Sequence, residues 1–341
     1  MRVDTQGAIE LVRFAARHNW EWTEGGITAL CDATGWSAED EEVQSDQRGT
    51  SWLATNLQVD RPSAQVSRGR ISPLLAGQTI ESVRVPVSDQ VRTDNARTES
   101  EVLDEGRMML DAFTDLGNAL VTAVSPPSQS KPGLTPSIRW EHPTVVISLQ
   151  GTPSGLVVTF DNPVYIGWID QLDQFHVTDA DLDLDDEFDD EDSDEYEEPS
   201  PYSSIEALNL NSADANYAVA RVVLDLRRTG VVDLTYNDQR VLQISYRSRD
   251  DSDQFDTISL TCNLIVDPFG DSRCLNESSV ESVLTGAGWV RIENGPGNFW
   301  RMVVDWPAHY ETIFAFADKV VSALRQYFSF EDPSLLELKT Y

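Results

Sequence analysis

The chain has 341 residues, with 58 Asp and Glu against 25 Lys and Arg for a formal net charge of −33, and 40% of its residues are hydrophobic. That length accommodates two domains at ~150 residues each, and nine Trp and twelve Phe supply the material for two cores. The charge argues against nucleic-acid binding, which relies on Lys and Arg to neutralise phosphates, and against docking on anionic lipid; it suits a basic partner drawn in by an opposite field, or simply solubility in a salty cytoplasm.

The N-terminal segment MRVDTQGAIELVRFAARHNW lacks the basic-then-apolar order of a signal peptide, and no apolar run is long enough for a membrane span. Cys31, Cys262 and Cys274 show no metal-ligand spacing; Cys262 and Cys274 can meet across a hairpin, and otherwise read as small buried residues. A reducing, cytoplasmic setting is the expectation.

Taken in order, the apolar spacing of Ala8, Leu11, Val12, Phe14 and Ala15 predicts a helix from Thr5 to His18. Trp20 and Trp22 form a short strand or an aromatic plug, and Gly25-Gly26 breaks the chain. Ile27 to Thr34 reads as a short helix ended by a left-handed Gly35, with Trp36 packing behind it. Residues 37–50 read as loop, Ser51 to Val59 as a strand, Arg61 to Gln78 as a long hairpin loop, and Ile80 to Val87 as a strand whose Pro86 marks an end or a sheet edge. Thr98 to Val124 is the clearest helix, with Thr98 and Glu101 at capping-box spacing. Its stripe is Val102, Met109, Leu110, Phe113, Leu116, Leu120, Val121 and Val124, and Pro126-Pro127 stops it. Strands follow at Ser137 to Trp140, Thr144 to Gln150 and Gly155 to Asp161, then a short apolar run from Tyr165 to Ile169.

Between Thr178 and Glu198 the sequence reads TDADLDLDDEFDDEDSDEYEE, 14 acids in 21 positions, and no Lys or Arg occurs from Trp140 to Ala220. Such a block repels itself and has little apolar area with which to offset the entropy of ordering. It reads as a disordered linker over 177–201, between an N-terminal domain (1–176) and a C-terminal one (202–341). The run accounts for 14 of the negative charges, so the remainder carries −19 and is acidic in its own right.

In the second part, Ala213 to Arg228 predicts a helix ended by Gly230. Val231 to Tyr236, Val241 to Tyr246 and Thr257 to Val266 form an antiparallel meander, with turns at Asn237-Asp238 and Asp250 to Asp253. Ser278 to Thr285 is a short helix ended near Gly286 and Gly288, with Trp289 after it. Trp289 to Glu293 and Phe299 to Asp305 make a hairpin around Asn294-Gly295-Pro296-Gly297. Pro307 opens a helix from Ala308 to Phe328 with the stripe Ile313, Phe314, Ala317, Val320, Val321, Leu324 and Phe328, and Asp332-Pro333 ends the region.

Motifs for chemistry are missing. His18, His142, His176 and His309 sit in unrelated contexts, outside any GxSxG, HExxH or CxxC setting, and there is no phosphate-cradling loop. Asp181, Asp183 and Asp185 start like a calcium loop, but Asp186 stands where glycine is needed and Asp192 where glutamate is needed. No catalytic residue, cofactor or metal site is assigned. Alternation splits the strand after Gly297 into a core face (Trp300, Met302, Val304, Trp306) and a mixed face (Phe299, Arg301, Val303, Asp305). Phe299 and Arg301 are therefore candidate partner contacts, as aromatic and Arg residues anchor interfaces. In the acidic run, Asp185, Asp186, Glu187, Asp189 and Asp190 are candidates for gripping a cationic surface by imitating a polyanion.

The run SVLTGAGW (282–289), then NFWRMVVDWP (298–307), the long helix and the DPSLL tail (332–336) resemble the YbjN-like, type III secretion chaperone-like domains of bacteria, whose actinobacterial relatives occur beside toxin and secretion systems. The resemblance covers the second part. The first part, with WEW and TALCDATGW (28–36), is similar to an uncharacterised actinobacterial domain family, and TALCDATGW echoes SVLTGAGW. The fold expected is α+β, two domains each with an antiparallel sheet packed with helices. The resemblance implies a non-enzymatic protein-binding role, chaperone-like or as an immunity factor, toward a basic secreted toxin or effector. An enzyme with a carboxylate or metal site and a self-associating structural module are the alternatives.

Overall fold

The computed structural model describes residues 1–38, 50–68, 80–91, 99–133, 135–167, 207–210, 212–225, 231–236, 239–248, 258–265, 277–292, 299–327 and 336–340. The acidic run, Thr98, Cys274, His176 and the turns predicted at 237–238, 250–253 and 294–297 lie outside the described residues.

Two antiparallel sheets divide the chain. The first has eight strands: β1 (Ser37–Ala38), β2 (Thr50–Ala54), β3 (Ser63–Arg68), β4 (Ile80–Pro86), β5 (Gln129–Lys131), β6 (Ser137–His142), β7 (Val145–Thr152) and β8 (Gly155–Asp161), in spatial order β1-β2-β3-β4-β8-β7-β6-β5. The second has seven: β9 (Ala207–Leu208), β10 (Val231–Tyr236), β11 (Gln239–Ser248), β12 (Ile258–Ile265), β13 (Val290–Ile292), β14 (Phe299–Asp305) and β15 (Leu336–Thr340), in order β13-β14-β12-β11-β10-β15-β9. The helices among the described residues are α1 (Thr5–Ala15), α2 (Glu24–Thr34), α3 (Glu99–Ala123), α4 (Ala215–Asp225), α5 (Glu277–Gly286) and α6 (Tyr310–Tyr327), and residues 163–167 are helical as well. The class is α+β, each sheet carrying its own helices.

Periodicity explains most of these elements. In α1, Ala8, Leu11, Val12 and Ala15 turn inward, and the Asp4 carboxylate caps the helix by accepting from the Gly7 N–H at 2.9 Å. In α3, Leu110, Phe113, Leu116 and Leu120 are buried at three- and four-residue spacing against β7, β8 and α1. In α6 the buried stripe is Ile313, Phe316, Ala317, Val320, Val321 and Leu324, laid against α4; Phe316 takes the place expected for Phe314, which is half-buried. The aromatic plug holds: Trp20 and Trp22 stack at 5.0 Å, and their indole N–H groups donate to the carbonyls of Ala15 and Thr144.

Several expectations are corrected. Gly25-Gly26 does not break the chain. Both lie in the first turn of α2, capped by Thr23, and a Cβ at position 26 would run into the Glu21 carbonyl, so glycine serves close approach here. Ser63–Arg68 is not loop but β3, burying Ala64 and Val66 between β2 and β4. Pro86 is the last residue of a strand with neighbours on both sides, so it marks an end and not an edge. Ser37–Ala38, Gln129–Lys131, Ala207–Leu208 and Leu336–Thr340 are further strands the sequence does not announce. Pro307 stands three residues before α6, whose first N–H, that of Tyr310, donates to the Asp111 carboxylate on α3 at 2.8 Å.

That bond belongs to a contact joining the two sheet regions. Arg107 reaches Glu311 at 2.9 Å and lies 5.4 Å over the Tyr310 ring, Phe113 faces Trp306 at 6.5 Å, and the buried residues of both regions form one connected cluster. The two echoed segments also fold alike. Each is a helix followed by a left-handed glycine (Gly35, φ 74°; Gly288, φ 93°), a buried Trp and an edge strand. The order of the remaining elements differs between the two halves, so they are not simple tandem copies.

Candidate functional site

Strand β14 separates its side chains as alternation requires. Trp300, Met302 and Trp306 are buried, with Trp306 edge-on to Tyr246 at 5.7 Å. The opposite face points outward and carries Phe299, Arg301, Val303 and Asp305. Register extends it: Arg301 pairs with Val290 and Phe299 with Ile292 on the edge strand β13, while on the other side Arg301 pairs with Asn263, Val303 with Thr261 and Asp305 with Ser259 on β12.

Arg301 is held in place twice. Its Nε donates to Asn263 Oδ1 at 3.0 Å, and its guanidinium lies 5.0 Å above the Phe299 ring. Asn263 continues a polar row across the sheet, pairing with Gln243, which pairs with Asp233; the Gln243 amide donates to Asp233 Oδ1 at 3.1 Å. Beside this row two large apolar side chains are left in water, Val290 at 60% exposure and Val303 at 49%. Phe299 and Arg301, singled out from the sequence, thus share a pre-oriented outward face at a sheet edge. Val290 and Val303 complete it; register with Arg301 supplies the signal for Val290. Asp185, Asp186, Glu187, Asp189 and Asp190 lie outside the described residues.

A second cluster went unread in the sequence. Asp161 ends β8, is 7% exposed, and pairs with Ser82 and Val146. Burial pushes its carboxyl up to about 7, against the pull of Arg139 and Arg84. Thr159, two residues back on the same face, pairs with Arg84 on β4 and Ser148 on β7, and Ser148 in turn pairs with Arg139 on β6. Glu81 is also raised by burial, although a hydrogen bond with Tyr165 works the other way. Four strands assemble this group, so no local motif reveals it.

Among the described residues the histidines do not converge. His18 stacks on Phe14 and meets Trp20 edge-on, and His142 ends β6. His309 lies 3.5 Å from both Asp111 and Asp115 at the contact between α3 and α6. Cys262 is fully buried in β12, its thiol pushed well up by burial. Among the described residues no group of three or more His, Cys, Asp or Glu is placed to hold a metal ion.

Comparison with known proteins adds one relationship. Residues 6–162 match a family model described as a family of unknown function (DUF6301), so the N-terminal part belongs to an uncharacterised family. The matched span takes in the whole first sheet, through Asp161 and Asn162. No curated protein and no solved structure matches the chain. None of the described helices is long and apolar enough to cross a membrane.

Proposed function

We propose that this chain works by binding another polypeptide, as a chaperone-like protein or an immunity factor for a basic secreted toxin or effector in an actinobacterial cytoplasm. One observation carries the reading: the outward face of the β13–β14 hairpin sets exposed Val290 and Val303 beside an Arg301 already oriented by Phe299 and Asn263. A fixed Arg on an aromatic is the kind of residue that anchors an interface, the exposed valines beside it add apolar area to cover, and little Arg side-chain entropy remains to be lost on binding. The net charge of −33 supplies the attraction for a basic partner. The resemblance of the second part to secretion-chaperone-like domains points the same way.

The test compares the full chain with its Val290→Asp variant as bait in a native lysate at low salt, after circular dichroism has shown both folded. One dominant basic protein retained by the wild type and lost by the variant is expected. Equal capture by both would remove the hairpin from the reading, and capture of nothing by either would count against binding altogether.

A second reading, an enzyme built on a carboxylate, draws on Asp161 and its two arginines. A small molecule that stabilises the wild type saturably and leaves Asp161→Asn unmoved would favour it.

A further inference from the structure

A cleft of about 520 Å³ opens between α1, the end of α2 and the segment that follows β2. Its floor is apolar and aromatic: Leu11, Leu57 and Trp36 are each less than a tenth exposed, and Phe14 packs beside them. The Trp36 indole is fixed by donating to Asn56 Oδ1 at 3.3 Å. Two carboxylates stand on the rim. Asp4 is fully engaged, accepting from the backbone N–H groups of Gly7 and Gln58 at 2.9 and 2.7 Å, so it shapes the wall. Glu10 is exposed, and its hydrogen bond is with the neutral Gln6 amide at 2.6 Å. No Lys, Arg or His is among the described residues lining the cleft.

A cleft with an apolar floor, polar walls and an uncompensated carboxylate at its mouth suits a cation on an apolar stem. The stem covers the floor and the charge meets Glu10. We propose that this cleft receives an arginine side chain presented by the basic partner. This deepens the binding reading and rests on it for the partner's chemistry, but it uses a separate surface. Arginine fits better than lysine because its planar guanidinium forks onto a carboxylate.

The test uses the full chain, 15N-labelled, titrated with the capped tripeptide acetyl-Gly-Arg-Gly-amide, its norleucine counterpart, and agmatine as the free guanidine. The Trp36 indole resonance, assigned by its loss in Trp36→Phe, and the Gly7 and Gln58 amides are followed. A saturable shift at all three with the Arg peptide is expected, with none for norleucine and weaker binding for agmatine. Glu10→Gln should weaken the Arg peptide at least fivefold, whereas Asp214→Asn, the same charge change on an exposed residue in the second region, should leave it within twofold. No shift at Trp36, equal effects of the two substitutions, or agmatine binding as tightly as the peptide would each overturn the proposal. These outcomes are independent of the Val290→Asp comparison, so failure of the cleft and failure of the binding role are told apart.

Discussion

Replacing Asp161 by Asn should make the protein more stable in alkaline buffer and leave it nearly unchanged in acid. The carboxyl is 7% exposed, and burial raises it from an ordinary 3.8 to about 7 even with Arg139 and Arg84 nearby. Desolvation outweighs the two attractions because Arg84 is exposed and its field is screened by water, whereas Asp161 is not. A group whose pKa is raised in the folded state favours folding fully below its unfolded value and loses that contribution as pH climbs through its folded value. The window here runs from about pH 4 to about pH 7. A shift of about three units corresponds to roughly 4 kcal/mol across the full window. Between pH 5 and pH 9 the wild type should lose on the order of 3 kcal/mol that the neutral Asn variant keeps. Urea unfolding of both proteins, followed by Trp fluorescence at each pH, isolates this site in the difference between them, whatever the other acids do. Two curves that run parallel to within about 1 kcal/mol would show that Asp161 is ionised and solvated in the fold, and the cluster with Arg84 and Arg139 would go with it.

Asp111→Ala removes the acceptor for the Tyr310 N–H at the start of α6 and should cost about 1 kcal/mol in urea unfolding. Asp111→Asn, which keeps an acceptor oxygen, should recover most of that; equal losses would deny the cap. Deleting residues 178–198 should weaken binding of the captured partner and flatten its dependence on salt, read by calorimetry at several ionic strengths. Unchanged affinity would leave the acidic run no part in recognition.

Where the chain folds on local instructions, the sequence can be read. The three- and four-residue spacing in α3 places its inward face, the meander β10-β11-β12 follows from three apolar runs, and Gly35 takes the left-handed conformation its position implies. Alternation alone divides β14 into the face that is buried and the face that carries Phe299 and Arg301. Readability fails where structure is conferred from a distance. Ser63–Arg68 offers two small apolar residues beside Pro62 and becomes a strand because β2 and β4 flank it. Leu336–Thr340 is short, carries Glu337 and Lys339 among its five residues, and becomes a strand because it lies between β10 and β9. The cap of α6 comes from a helix about two hundred positions earlier, so no residue near Tyr310 announces it. The same holds for sites. Asp161, Arg84 and Arg139 come from different strands, and Val290 becomes an exposed neighbour of Arg301 only through register.

Amide hydrogen exchange on the complex with the captured partner addresses the binding face most directly. We expect new protection at residues 290–292 and 299–305, on the edge hairpin that bears Val290, Phe299, Arg301 and Val303, with the buried strand β11 unchanged. A tight complex that leaves the exchange of those two strands as it is in the free protein would contradict the assignment of this face to partner binding.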